Sequence, residues 1–205
     1  MKTRIKICGL TRIEDLQLAV NAGAEAIGLV FYPPSPRYVD LATAAELTRW
    51  VPPFVSVVGL FVNAAPDVVR ATLAAVPLHL LQFHGDEDEA YCRQFERPYI
   101  KAARVKPGMD LIQYAAEFPS AQALLLDAFV DGYGGGGKVF DWSLIPAALA
   151  KPIILSGGLE AGNVGEAISR VRPAAVDVSS GVEAAKGIKS AEKIHAFMAA
   201  VRAAD

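Results

Sequence analysis

Cysteine is almost missing from this chain: Cys8 and Cys92 are the 2 present in 205 residues. So thin a supply excludes a disulfide-framed scaffold and fits a reducing compartment. An excess of one charge is missing as well. The 20 Lys and Arg against 22 Asp and Glu leave a net charge of −2, with the signs interspersed. That balance argues against a nucleic-acid or anionic-membrane partner. Long charge-free apolar runs are also absent. The longest, Val51 to Ala65, contains Pro52, Pro53 and Asn63 and is too short to span a bilayer. Lys2, Arg4 and Lys6 mimic the basic start of a secretion signal, but Arg12, Glu14 and Asp15 interrupt the segment behind them. The expectation is a soluble cytoplasmic protein. No His, Cys and carboxylate spacing suggests a ligand cluster, so no metal is expected. No glycine fingerprint follows the first strand, as a dinucleotide site requires.

What the chain does have is apolar substance, 53% of its residues, arranged as strands alternating with helices. The strands are expected at Ile5 to Cys8, Ala26 to Phe31, Val55 to Val62, His79 to Phe83, Tyr99 to Val105, Ala123 to Asp127, Pro152 to Leu155 and Ala175 to Val178. Between them lie helix signals. Thr11 with Glu14, and Asp86 with Glu89, have capping-box spacing. Further helices are expected over Leu41 to Val51, around Asp110 to Phe118, and from Trp142 to Leu149 behind Asp141 as N-cap. Others carry Val69, Leu73 and Val76. Val164, Ala167, Ile168 and Val171, and later Ile194, Phe197, Met198 and Val201, repeat at helical spacing. Strands alternating with helices imply parallel pairing through right-handed crossovers. Eight such units with no second core predict an α/β protein, one (β/α)8 TIM barrel domain over residues 1–205, although such barrels typically run to about 250 residues. The competing architecture, a doubly wound open sheet, would normally carry a glycine fingerprint after the first strand, and Cys8-Gly9-Leu10-Thr11 is not one.

In a barrel the chemistry belongs to the loops after the strands, and special residues collect there. Asp127 ends an unbroken apolar run, followed by Gly134-Gly135-Gly136-Gly137 and Lys138. A strand-end acid under a hinged loop suggests an active site with a lid; the plainer alternative is a turn-capping Asp beside a linker. Ser156-Gly157-Gly158 and Ser179-Ser180-Gly181 end strands seven and eight, where barrels often bind phosphate on backbone N–H groups. Cys8 reads either as a small buried hydrophobe or as a thiolate base. Arg37, behind Pro33-Pro34-Ser35-Pro36, reads either as a surface arginine or as a guanidinium aimed at a carboxylate. Gln82 and His84 end strand four; His84 has a structural reading too. Cys92 reads as packing.

The chain resembles the phosphoribosylanthranilate isomerases of tryptophan biosynthesis along its whole length. The resemblance rests on KICGLT at Lys6 to Thr11, GLVFYPPSPRYV at Gly28 to Val39, GLFVN at Gly59 to Asn63 and LQFHGDE at Leu81 to Glu87. It continues through LLLDAF at Leu124 to Phe129, GGGGKVFDW at Gly134 to Trp142, SGGL at Ser156 to Leu159 and VDVSSGVE at Val176 to Glu183. The family usually has a small hydroxyl residue where this chain has Gly136, and often alanine where it has Ser156.

The resemblance implies a cofactor-free Amadori rearrangement of N-(5-phosphoribosyl)anthranilate to 1-(2-carboxyphenylamino)-1-deoxyribulose 5-phosphate. It makes Asp127 the general acid and Cys8 the general base, and pairs Arg37 with the anthranilate carboxylate. It seats the phosphate on backbone N–H groups around Gly157, Gly158, Ser180 and Gly181, with Gln82 and His84 also on the substrate. That chemistry needs a protonated acid and a thiolate, whereas ordinary values of about 3.9 and 8.5 favour the reverse. The expectation is that desolvation favours the protonated acid and a local positive field lowers Cys8. A monomer or homodimer acting on a small phosphoribosyl molecule is expected. Two alternatives stand beside this reading. A histidine-pathway aminoaldose–ketose isomerase would put an aspartate on strand one, where this chain has Cys8. A silent barrel kept as a binding partner would more readily have lost Cys8 or Asp127.

Overall fold

Leu124, Leu125 and Leu126 are all fully buried, and successive side chains of the strand bury on opposite faces. Leu124 and Leu126 join the large core between sheet and helices, whereas Leu125 packs with Ile100, Ala102 and Ala123 in a smaller inner cluster. Each such leucine contributes roughly 1.5–3 kcal/mol on leaving water. A strand covered on both faces has no use for alternating polarity.

The structure, a computed structural model, describes residues 2–128 and 139–205. The glycine run 134–137 and Lys138, expected as a hinged loop, lie outside the described residues. Eight parallel strands close into a barrel in sequence order: β1 (Arg4–Cys8), β2 (Ala26–Val30), β3 (Ser56–Phe61), β4 (Leu80–Phe83), β5 (Tyr99–Val105), β6 (Ala123–Ala128), β7 (Ile153–Leu155) and β8 (Ala175–Val178). The helices are α1 (Ile13–Asn21), α2 (Leu41–Thr48), α3 (Pro66–Ala75), α4 (Glu89–Arg93), α5 (Leu111–Glu117), α6 (Val164–Val171) and α7 (Ala191–Ala204). β8 pairs with β1 and closes the ring, with Lys6 opposite Asp177. Among the described residues no helix is long and apolar enough to cross a membrane.

Several local expectations are corrected. Thr11 does not cap α1: its hydroxyl donates to the Gly187 carbonyl at 2.7 Å, and the N-cap is Arg12, without a side-chain cap. Arg12 instead pairs with Asp15, whose carboxylate also accepts from the Lys189 N–H at 3.0 Å. The start of α1 is thus spent on fastening a two-stranded hairpin, β9 (Glu183–Ala185) and β10 (Ile188–Lys189), that the sequence reading missed. Asp86 does not cap α4; Asp88 does, accepting from the Tyr91 N–H. The N–H of Asp86 donates to Asn63 Oδ1, while the Glu87 carboxylate accepts from the N–H groups of Asn63 and Gly85 and from Lys101 Nζ. The LQFHGDE segment therefore ties the ends of β3 and β4 to Lys101 within β5. Asp141 does act as an N-cap, but of a three-residue 3-10 turn, Trp142–Leu144, in place of the expected helix to Leu149. Cys92 is fully buried packing, as expected, and burial pushes its thiol up to about 12.

Candidate active site

Alternation along the strands decides what lines the barrel. Ile5 and Ile7 belong to the outer core, so Lys6 and Cys8 between them face inward. By the same rule Gln82 and His84 face inward past Leu81 and Phe83, Asp127 past Leu126, and Asp177 between Val176 and Val178. The sequence-predicted residues thereby meet at the carboxyl end of the barrel, in two groups on opposite sides.

On one side stands Asp127, with its carboxylate almost wholly withdrawn from water. Its Oδ2 lies 3.1 Å from His84 Nε2, a close approach without hydrogen-bond alignment. Its Oδ1 accepts from the Ala128 N–H at 2.9 Å. Gln82 is fully buried beneath and reaches His84 Nδ1 at 3.1 Å. Gly157 closes this side: at φ 84° it packs so near that an added Cβ would sit 2.8 Å from Asp127 Oδ1. Gly158 follows at φ 63°, a region that side chains enter at a cost. Asn163 Nδ2 donates to the Gly158 carbonyl and fixes the turn. In the neighbouring turn Gly181 abuts the Leu159 carbonyl so closely that a Cβ there would overlap it. The SGG and SSG turns are therefore one packed unit, with Ser180 opening its short 3-10 turn.

On the other side Cys8 ends β1 under three cations. Lys6 Nζ pairs with Asp177 at 2.9 Å, both deeply buried. Arg37 is not a surface arginine: its Nε and Nη2 hold the Glu183 carboxylate in a fork at 2.7 and 2.8 Å. Lys189 Nζ joins the same carboxylate at 3.0 Å and the Ser179 carbonyl at 3.0 Å. Gly9, at φ 76°, leaves the room in which Arg37 Cδ lies.

The charges correct one expectation. Burial pushes the Cys8 thiol above its ordinary value, and the Lys6 ammonium near it recovers only part of that rise. Burial acts on Glu183 in the same direction, but Arg37 and Lys189 hold its carboxyl below the usual range. Lys6, Asp177, Glu183 and Lys189 were all missed by the sequence reading. The available signal was a charged residue flanked by buried aliphatics, as in Ile5-Lys6-Ile7 and Val176-Asp177-Val178. Among the described residues no group of three or more His, Cys, Asp or Glu could hold a metal ion.

These features define a (β/α)8-barrel enzyme with its polar groups gathered at one mouth. The model of the N-(5'-phosphoribosyl)anthranilate (PRA) isomerase family matches residues 5–200. The N-(5'-phosphoribosyl)anthranilate isomerase of Dechloromonas aromatica (strain RCB) is 68% identical over 205 residues, covering 100% of this chain and 99% of the relative. The crystal structure of the phosphoribosyl anthranilate isomerase from Thermotoga maritima superposes with a TM-score of 0.91 at 41% identity, covering 98% of this chain and 99% of that one. A phosphoribosyl anthranilate isomerase solved in complex with reduced 1-(o-carboxyphenylamino)-1-deoxyribulose 5-phosphate has a TM-score of 0.86 at 38% identity, covering 98% and 99%. The chain belongs to the N-(5'-phosphoribosyl)anthranilate isomerase family, isomerases of tryptophan biosynthesis.

Proposed function

We propose that this chain converts N-(5-phosphoribosyl)anthranilate to 1-(2-carboxyphenylamino)-1-deoxyribulose 5-phosphate, with Asp127 as general acid and Cys8 as general base. The observation that carries this assignment is the division of the mouth into two groups, a carboxyl with an imidazole facing a cysteine among cations. A ribose held between them meets an acid at its ring oxygen and a base at C2. Protonation of the ring oxygen by Asp127 opens the ring to a Schiff base. Removal of the C2 proton by the Cys8 thiolate gives the enolamine, which tautomerises to the ketone. His84 orients the acid, and Gln82 holds His84 from below. Rescue of a tryptophan auxotroph lacking only this isomerase tests the activity: soluble, well-expressed protein that fails to rescue growth overturns it. The acting unit is taken as a monomer or homodimer, a point for sedimentation.

The phosphate is assigned to backbone N–H groups around Gly157, Gly158, Ser180 and Gly181. Gly158→Val is expected to raise KM sharply, because a β-branched residue resists φ 63° and its Cβ intrudes on the anion. Steady-state kinetics checks this; a change in kcat/KM of less than about twofold removes the phosphate from this turn.

Arg37 is assigned to the anthranilate carboxylate. Since Nε and Nη2 already hold Glu183, the Nη1 edge is left for the substrate. Arg37→Lys keeps the charge but lacks the planar fork that holds Glu183 at two points while presenting a further N–H to a second carboxylate. The expected loss in kcat/KM is about 10–100-fold, the value of one charge-assisted hydrogen bond. The discriminating measurement is the affinity of product analogues with and without the carboxylate; equal losses for both take Arg37 out of this role.

A further inference from the structure

Five charged groups surround Cys8, and they do not cancel. Lys6 from β1, Lys189 from β10 and Arg37 from the loop after β2 supply three positive charges. Asp177 from β8 and Glu183 from β9 supply two negative ones. The cluster is short of one negative charge, and Cys8 is the titratable group at its centre. A thiolate at Cys8 makes the buried cluster neutral, which offsets part of the cost that burial places on that thiolate.

The cations are not equivalent. Arg37 and Lys189 both share Glu183, and Lys189 also holds the Ser179 carbonyl. Burial keeps the Lys189 ammonium below its ordinary value in spite of Glu183. Lys6 differs in standing beside the sulfur across Gly28. A Cβ placed on Gly28, the β2 residue opposite Cys8, would lie 2.6 Å from Cys8 Sγ and 3.1 Å from Lys6 Nζ. Sulfur and ammonium therefore share the small space that the bare Gly28 leaves. Burial pulls the Lys6 ammonium down, but Asp177 and Cys8 beside it more than restore it, so it stays a cation.

We propose that Lys6 is a positioning residue for the isomerisation: held by Asp177 on the barrel floor and admitted by Gly28, its ammonium stabilises the thiolate form of Cys8 against the burial that opposes it. This rests on the assignment of Cys8 as the base, but its test does not.

The thiolate of Cys8 is titrated by its ultraviolet absorbance in the wild type and in Lys6→Met. Each is measured against its own Cys8→Ala counterpart, which subtracts Cys92 and the tyrosines. Lys6→Met is expected to move the Cys8 midpoint up by about one unit or more, leaving about tenfold less thiolate at any pH below it. The acid limb of kcat/KM should move up in pH by the same amount. A merely structural lysine would lower activity at every pH without moving either midpoint, and an unmoved midpoint in folded Lys6→Met overturns the proposal. Should that variant not fold, Lys6→Met/Asp177→Leu replaces the buried ion pair by an apolar one, which interiors tolerate. Lys6 acts on the sulfur more strongly than Asp177 does, so the midpoint should still rise, by less; a wild-type midpoint there overturns the proposal equally. A near-normal kcat in folded Cys8→Ala would remove the base role and leave this coupling standing. An unmoved midpoint would remove the coupling and leave the base role.

Discussion

Cys8→Ala is expected to lower kcat by about 10²- to 10⁴-fold, the usual contribution of a positioned general base, while the protein stays folded and binds product. The side chain is small and lies over Gly28, in a space shaped by Lys6. Its removal leaves a modest cavity, so lost activity cannot be put down to a collapsed barrel. Circular dichroism and product-analogue affinity are the controls. Cys8→Ser should be nearly as poor, because a hydroxyl is a far weaker base than a thiolate. The pH dependence is set by the direction of the shift. A base works deprotonated, and burial raises the Cys8 thiol, so the acid limb of kcat/KM should lie above the ordinary thiol value and activity should climb into the alkaline range. A limb well below about 8.5 would mean that some group other than this thiol is being read. A folded Cys8→Ala enzyme with near-normal kcat would leave Cys8 as a packing residue.

The parts of this molecule that were readable in the sequence are those where one pattern had one physical solution. Leu124-Leu125-Leu126 suits a strand buried on both faces, and eight such runs between helical stripes allowed few topologies. Cys8 and Asp127 were singled out because each stands at the end of a strand, and Arg37 because it lies in the loop that follows one. The hairpin of β9 and β10 was invisible: with three and two residues it carries no period, and its place comes from long-range contacts such as Thr11 to Gly187. Thr11 and Asp86 failed as caps for the same reason. A hydroxyl or an acid at cap spacing also satisfies distant groups, and tertiary contacts won. The buried charges were legible in principle. Lys6 and Asp177 sit at inward positions on adjacent strands, but only the closure of β8 on β1 brings them to 2.9 Å. Likewise Arg37 looked free for a ligand until Glu183, 146 residues away in sequence, was found in its fork. Sequence marks which side chains can do chemistry; closure of the ring decides which of them are already engaged.

Asp127→Asn is expected to cost kcat about 10²- to 10⁴-fold as well, with folding and product binding kept. The amide matches the carboxyl in shape, and its oxygen can still accept the Ala128 N–H that Oδ1 accepts now. It also fills the same space against Gly157, where little tolerance exists. What it lacks is a proton to give to the ribose ring oxygen. His84 supplies an internal comparison, because its Nε2 lies 3.1 Å from Oδ2 and an imidazole is itself a competent proton donor. If Asp127 is the donor, His84→Gln disturbs only its orientation, and the loss should be at least about tenfold smaller than in Asp127→Asn. If the imidazole is the donor, the order reverses. Single-turnover rates of the two variants, measured with matched circular dichroism spectra, separate these cases. A folded Asp127→Asn protein retaining kcat within about tenfold of wild type, below the least that a general acid contributes, would take the acid away from the end of β6.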